Sequence, residues 1–155
     1  MAEFKKNRFA SARQDWETPT DLFAAIHARF QFTRDAAASA QNAKLPVYWT
    51  EADNCLTRPW EGRNWLNPPY NRVSVFVKKA FDERDRALTV CLIPARTNTV
   101  WWHKYCMKGG ILFVQGRPRF GNCAHGLPQP LALVVFGDPT FTGGVMASFS
   151  WEKSK

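Results

Sequence analysis

No stretch of this sequence approaches the roughly 20 consecutive apolar residues that a membrane-spanning helix needs, so a transmembrane protein is not expected. Residues 1–12 are charged and contain no apolar segment of the kind a secretory leader carries, which makes a cytoplasmic location the expectation. The four cysteines, Cys55, Cys91, Cys106 and Cys123, include no C-x-x-C pair. That argues against a zinc ribbon, and an intracellular chain argues against disulfides. One loose ligand set remains, His103 with Cys106 and Cys123 with His125, but its spacings are not those of a zinc site, and no metal is expected. There is no internal repeat and no low-complexity tract. Acidic residues are scarce: 13 Asp and Glu stand against 21 Lys and Arg, a net charge of +8. Such a balance suits a polyanionic partner, with nucleic acid ahead of an anionic membrane surface. A basic protein without such a partner is the plain alternative.

With 155 residues, 45% of them hydrophobic and 22% charged, the chain has the composition of one globular domain. A chain of this size buries about two-thirds of its unfolded surface, enough for a core without staples. Residues 1–14 read as a basic tail (Lys5, Lys6, Arg8, Arg13), and 15–155 as the single domain. Aromatic residues are abundant, with seven Trp and twelve Phe. They serve equally to fill a core or to stack on bases.

Thr18 followed by Pro19 and Asp21 has the form of a helix start, Thr18 as cap and Pro19 in the first turn. Leu22, Ile26 and Phe30 continue at helical spacing, predicting a helix over about 19–30. Residues 30–33 alternate as a short strand that ends near Asp35. Residues 64–66 read as a strand that Pro68 and Pro69 stop, since two prolines remove two ladder donors. A charged amphipathic helix follows at about 72–86. The apolar run 88–93 reads as a strand buried on both faces. Residues 98–107 read as helical, and 111–114, 131–136 and 145–151 as strands. This alternation predicts an α/β fold with a mostly parallel sheet and an antiparallel edge. In such sheets ligands bind outside the carboxyl ends of the strands, where Asp35 and Asn67 both fall.

The segment Asn67-Pro68-Pro69-Tyr70 is the most informative. Asn67 supplies a side-chain carbonyl, Pro68 a backbone carbonyl, Pro69 a stiff frame and Tyr70 an aromatic ring. Two acceptors beside an aromatic plate suit a planar ring that carries an NH2 group. An ordinary strand-ending turn has the same residues.

The four residues match the catalytic motif of amino-group methyltransferases that use S-adenosyl-L-methionine. Six blocks in order resemble the phage and prophage DNA N6-adenine methyltransferases: Asp15-Trp16-Glu17-Thr18-Pro19, the segment from Phe32 through Asp35 to Ala38, Thr50-Glu51-Ala52-Asp53-Asn54, Trp65 to Tyr70, Ala95-Arg96-Thr97-Asn98-Thr99 with Trp101-Trp102, and Gly116-Arg117-Pro118-Arg119-Phe120. The likeness runs from about Trp16 to Phe136. It implies a Rossmann-like methyltransferase fold and methylation of the exocyclic amine of adenine in double-stranded DNA, in the cytoplasm of a host cell for a phage protein. Protection of phage DNA from restriction is the purpose the resemblance implies. It further implies a cofactor site at Trp16, Thr18, Pro19, Asp35, Ala36, Ala37 and Asp53, catalytic roles for Asn67, Pro68, Pro69 and Tyr70, and target or phosphate contacts for Arg96, Thr97, Arg117 and Arg119. Asp35 and Asp53 as turn-capping acids, Trp16 as a staple onto the first helix, and Arg117 with Arg119 as a solvated edge are the structural alternatives. One departure stands out: Asp35 is followed by Ala-Ala-Ala-Ser, where many methyltransferases carry glycine so that backbone can approach the cofactor.

On this reading Asn67 and Pro68 accept the two N–H groups of the target amine, whose lone pair then faces the methyl donor, and Tyr70 stacks on the flipped base. The same loop chemistry also suits RNA adenine, cytosine N4 or a protein glutamine. A basic DNA-binding protein with a decayed cofactor site is the rival from another class.

Overall fold

The computed structural model describes residues 17–120 and 129–153. The basic tail, Trp16, Cys123 and His125 therefore lie outside the described residues. The chain forms α1 (Thr20–Phe30), β1 (Arg34–Asp35), β2 (Gly62–Leu66), α2 (Val73–Asp82), β3 (Ala87–Pro94), α3 (Val100–Lys104), β4 (Gly110–Val114), β5 (Leu131–Phe136) and β6 (Met146–Phe149). Single 3-10 turns precede β2, enter α2 and follow α3.

α1 exists because Leu22, Phe23, Ile26 and Phe30 form one buried stripe. It starts one residue later than the capping pattern suggests. Pro19 occupies the cap position and has no side chain to donate or accept, so its carbonyl takes the Phe23 amide (2.9 Å) and Thr18 is left for other work. The predicted strand at 30–33 is displaced to Arg34–Asp35. Phe30 closes the helix, and Gln31 turns left-handed (φ 51°), which carries Phe32 into the core before pairing begins.

The six strands form one sheet in the order β1-β2-β3-β5-β4-β6. β1, β2 and β3 are parallel, with Asp35 opposite Trp65 and Leu66 opposite Cys91. β5 runs antiparallel to both β3 and β4, and β4 is parallel to β6. The sheet is mostly parallel, as expected, but the reversed strand lies inside it and not at an edge. Leu131–Phe136 is apolar and buried throughout, which suits a strand paired along both edges and covered on both faces. The edge falls to β6, whose first three residues are exposed. The outer edge of β1 is covered by 47–49, through Asp35 N–H to Val47 O (3.0 Å) and Trp49 N–H to Asp35 O (2.9 Å).

Because side chains alternate along a strand, Trp65, Val90 and Val135 share one face and Asn64, Thr89 and Phe136 the other. α1 packs on the first through Phe23 against Trp65 (5.3 Å between rings), and α2 on the second through Phe81 against Phe136 (6.0 Å). Cys91 is core as expected, and Cys55 and Cys106 are core as well. Gly137 (φ 81°) follows β5 where a side chain would collide with the carbonyl of Ala87, so only glycine fits that turn. Among the described residues no helix is long and apolar enough to cross a membrane.

Candidate active site

An open crevice of about 1160 Å³ lies outside the carboxyl ends of β1 and β2, with Thr18, Asp35, Ala36, Ala37, Asn67 and Pro69 on its wall. The topology explains the convergence. β1 delivers Asp35 as its last residue, and β2 ends at Leu66, one residue before Asn67. The chain folds 36–38 back beside β2, where Ala36 N–H donates to Trp65 O (2.9 Å).

Asp35 is only 3% exposed. Its Oδ2 accepts the Lys44 amide (3.0 Å), and its Oδ1 faces the Ala37 amide at 3.4 Å. Burial pushes its carboxyl up to about 6, even though those amides and the nearby Lys44 charge favour the ionised form. A carboxylate held beside a crevice against this penalty is the kind of group that functional sites retain.

The 67–70 loop is stiff. Pro69 O accepts the Arg72 amide (3.0 Å), forming the turn Tyr70–Arg72 that leads straight into α2. Asn67 Nδ2 donates to Thr18 Oγ1 at 3.0 Å, which directs the amide oxygen away from Thr18. Pro68 is buried behind the wall. Tyr70 differs from expectation: it is 8% exposed, lies off the crevice wall, and its buried hydroxyl has no hydrogen-bond partner among the described residues. Burial raises the phenol well above its ordinary range, with the Arg96 charge opposing. The ring therefore packs with the core. Phe76, under the Arg72 guanidinium (5.6 Å), and Trp65 are aromatic residues on the crevice wall.

Other sequence-derived residues are placed as follows. Asp53 lies off the wall and caps its own turn, with Oδ2 accepting Thr50 N–H (2.8 Å) and Oγ1–H (3.0 Å). These bonds hold its carboxyl below the ordinary range, and Glu51 and Asn54 on either side line the crevice instead. Pro19 also lies off the wall. Arg96 and Thr97 are exposed just beyond β3. Arg117 and Arg119 are exposed beyond β4, while Pro118 and Phe120 between and after them are buried. Since β1, β2, β3 and β4 all run against β5 in direction, these arginines sit at the same end of the sheet as the crevice. Asn71 and Arg72, also on the wall, were not anticipated, although both follow the motif directly. His103 Nε2 lies 2.7 Å from Thr97 O.

A sequence model described as DNA N-6-adenine-methyltransferase (Dam) matches residues 5–128. The chain belongs to this family. A DNA N-6-adenine-methyltransferase of Haemophilus phage HP1 is 31% identical over 94% of this chain and 91% of its own length. The DNA N-6-adenine-methyltransferase of Escherichia phage T1 is 37% identical over 59% of this chain, but the matched part is only 40% of that protein. A putative methyltransferase of Escherichia coli K12, YfdM, is 35% identical over 36% of this chain and 69% of its own. Membership of the family implies an enzyme that uses a methyl donor.

Proposed function

We propose that the protein transfers a methyl group from S-adenosylmethionine to the exocyclic N6 amine of adenine in double-stranded DNA, acting in the cytoplasm of the host cell. The observation that carries this reading is the placement of Asn67 and Pro69 on the same crevice as the buried Asp35, with exposed arginines at the same end of the sheet.

The residues present fit the donor. A crevice of about 1160 Å³ has room for a ligand of that size and for a base beside it. The donor's cationic groups suit a wall containing Asp35, Glu17 and Glu51, and Ala36 and Ala37 are small enough to permit close approach without glycine. When bound, S-adenosylmethionine supplies a methyl group on an electron-poor sulfonium. Asp35, Ala36, Ala37 and Thr18 would hold it. Asp53, committed to its own turn, has no part in this reading.

The target amine is a weak nucleophile because its lone pair is delocalised into the purine ring. Asn67 Oδ1 and the Pro68 carbonyl accept its two hydrogens, which localises the lone pair and aims it across the crevice. Pro68 and Pro69 keep the two acceptors at fixed separation, so little reorganisation is needed at reaction. An adenine inside a duplex must first leave the stack, at a cost of a few kcal/mol. Arg96, Arg117 and Arg119 would hold phosphates while it does so.

The direct test supplies the protein with methyl-labelled S-adenosylmethionine and, separately, adenine-containing duplex DNA, RNA and a glutamine-containing peptide. Digestion of the DNA is expected to release labelled N6-methyladenine. Label appearing only in RNA, in cytosine or in the peptide overturns the substrate assignment. DNA binding without label in any arm overturns the enzymatic one.

A further inference from the structure

No Asp or Glu occurs between Asp85 and Asp138, while Arg86, Arg96, Lys104, Lys108, Arg117 and Arg119 all fall in that stretch. Part of it forms the loop and helix that follow β3, the strand beside the one that delivers Asn67. The Arg96 charge reaches the buried Tyr70 phenol, so this loop stands next to the 67–70 corner. The loop is stiffly built. Thr97 N–H donates to Ala95 O (3.0 Å), the Thr99 amide (3.1 Å) and hydroxyl (2.7 Å) both donate to Arg96 O, and Trp102, only 2% exposed, anchors α3. On this mount Val100, the first residue of α3, is 81% exposed, the most exposed large apolar side chain among the described residues. His103 and Lys104, three and four residues on, share its face of the helix and border the same shallow depression.

We propose that Val100 is a wedge for base flipping: it enters the stack beside the target adenine and holds open the space that the base leaves. This inference rests on the function proposed above and adds to it a residue that acts on the DNA outside the crevice. A single exposed valine is ordinary on a protein surface. Its setting here is not, because the side chain stands among Arg96, His103 and Lys104 in the acid-free stretch, beside the loop that would receive the flipped base. Cations draw the duplex to that surface through its phosphates. An apolar side chain held among them meets the stack, and apolar side chains pushed between base steps unstack them. The β-branch of Val leaves its first torsion few choices, so a wedge on a rigid mount keeps its shape. Unstacking and unpairing cost most for a paired base and least for one already without a partner. A residue that held phosphate or supported the fold would act on both kinds of target alike; a wedge matters only for the first.

The experiment first locates, from labelled product, which adenine of a duplex the wild type methylates. Methyl-transfer rates of wild type, Val100→Ala and Val100→Ile are then compared on that duplex and on the same duplex with the target adenine opposite an abasic site. A 2-aminopurine at the target position reports unstacking by its fluorescence. Val100→Ala shortens the wedge, and Val100→Ile keeps its branch and its apolar reach. The alanine variant is expected to be about tenfold slower on the paired target but within about threefold of wild type opposite the abasic site. Its fluorescence rise on binding the paired duplex should fall by about half or more. Val100→Ile should stay within about threefold of wild type on both duplexes. Thermal unfolding should be unchanged in both variants, because the side chain is exposed. Equal slowing on the paired and abasic duplexes, or an alanine variant as fast and as fluorescent as wild type on the paired one, overturns the inference and leaves the proposed function standing. A wild-type protein that methylates no adenine in DNA overturns both.

Discussion

Asp35 is a side chain on which folding and function make opposite demands. Its carboxyl is pushed up to about 6 by burial, so between the ordinary range near 4 and about 6 the folded chain holds a proton that the unfolded chain has released. Stability is therefore lost as pH rises through that window, to a total of about 3 kcal/mol above it. Asp35→Asn is expected to raise stability by roughly 1–2 kcal/mol at pH 7.5, the lost hydrogen bond taking back part of the gain. That gain should vanish below pH 4 when thermal unfolding is followed across pH. The same substitution should weaken S-adenosylhomocysteine binding, and wild-type affinity should fall as pH drops through about 6. Thr89 offers a simpler case. It is fully buried and its hydroxyl has no partner among the described residues, so Thr89→Val should be neutral or stabilising by about 1 kcal/mol in urea unfolding. At this scale the motif residues were legible because type and order carry their chemistry. The inward packing of Tyr70, the turn that absorbs Asp53 and the bond from Asn67 to Thr18 were not, because each depends on a partner or a surrounding that only folding supplies.

Among the elements, the end of α2 is tied to the segment before β2 by one acid. Glu83 is buried, and it accepts the Trp60 amide (3.0 Å), Lys79 Nζ (2.6 Å) and Arg86 Nη2 (2.7 Å). Burial alone would raise its carboxyl, but these three donors outweigh burial and hold it below the ordinary range. The contribution is present at neutral pH and is lost as pH falls through that lowered value. Glu83→Ala should cost on the order of 3 kcal/mol in chemical unfolding at pH 7, since it leaves Lys79 and the Trp60 amide without their acceptor. The wild type should lose much of this advantage in acid. Helices and long strands were readable from periodicity and apolar runs, with Leu131–Phe136 and Ala87–Pro94 the clearest. The position of the reversed strand was not, because strand order depends on how the chain returns after β4. Nor was the start of β1, which hinges on the left-handed turn at Gln31.

For the molecule as a whole, charge and topology reinforce one another. A net charge of +8 says only that a polyanion is favoured, while the shared direction of β1 to β4 brings Arg96, Arg117 and Arg119 to the crevice end of the sheet. DNA affinity should therefore fall steeply with salt. In the Arg117→Ala/Arg119→Ala double variant the slope of log affinity against log salt should shrink by about 2, one for each phosphate contact removed. The measurement that bears most directly on the whole account is methyl transfer by Asn67→Ala, read as labelled N6-methyladenine after DNA digestion with duplex binding measured on the same sample. Loss of an electrostatic group aimed at the reacting atom should lower kcat by about a hundredfold or more while the duplex still binds. Wild-type turnover from the alanine variant would contradict the account.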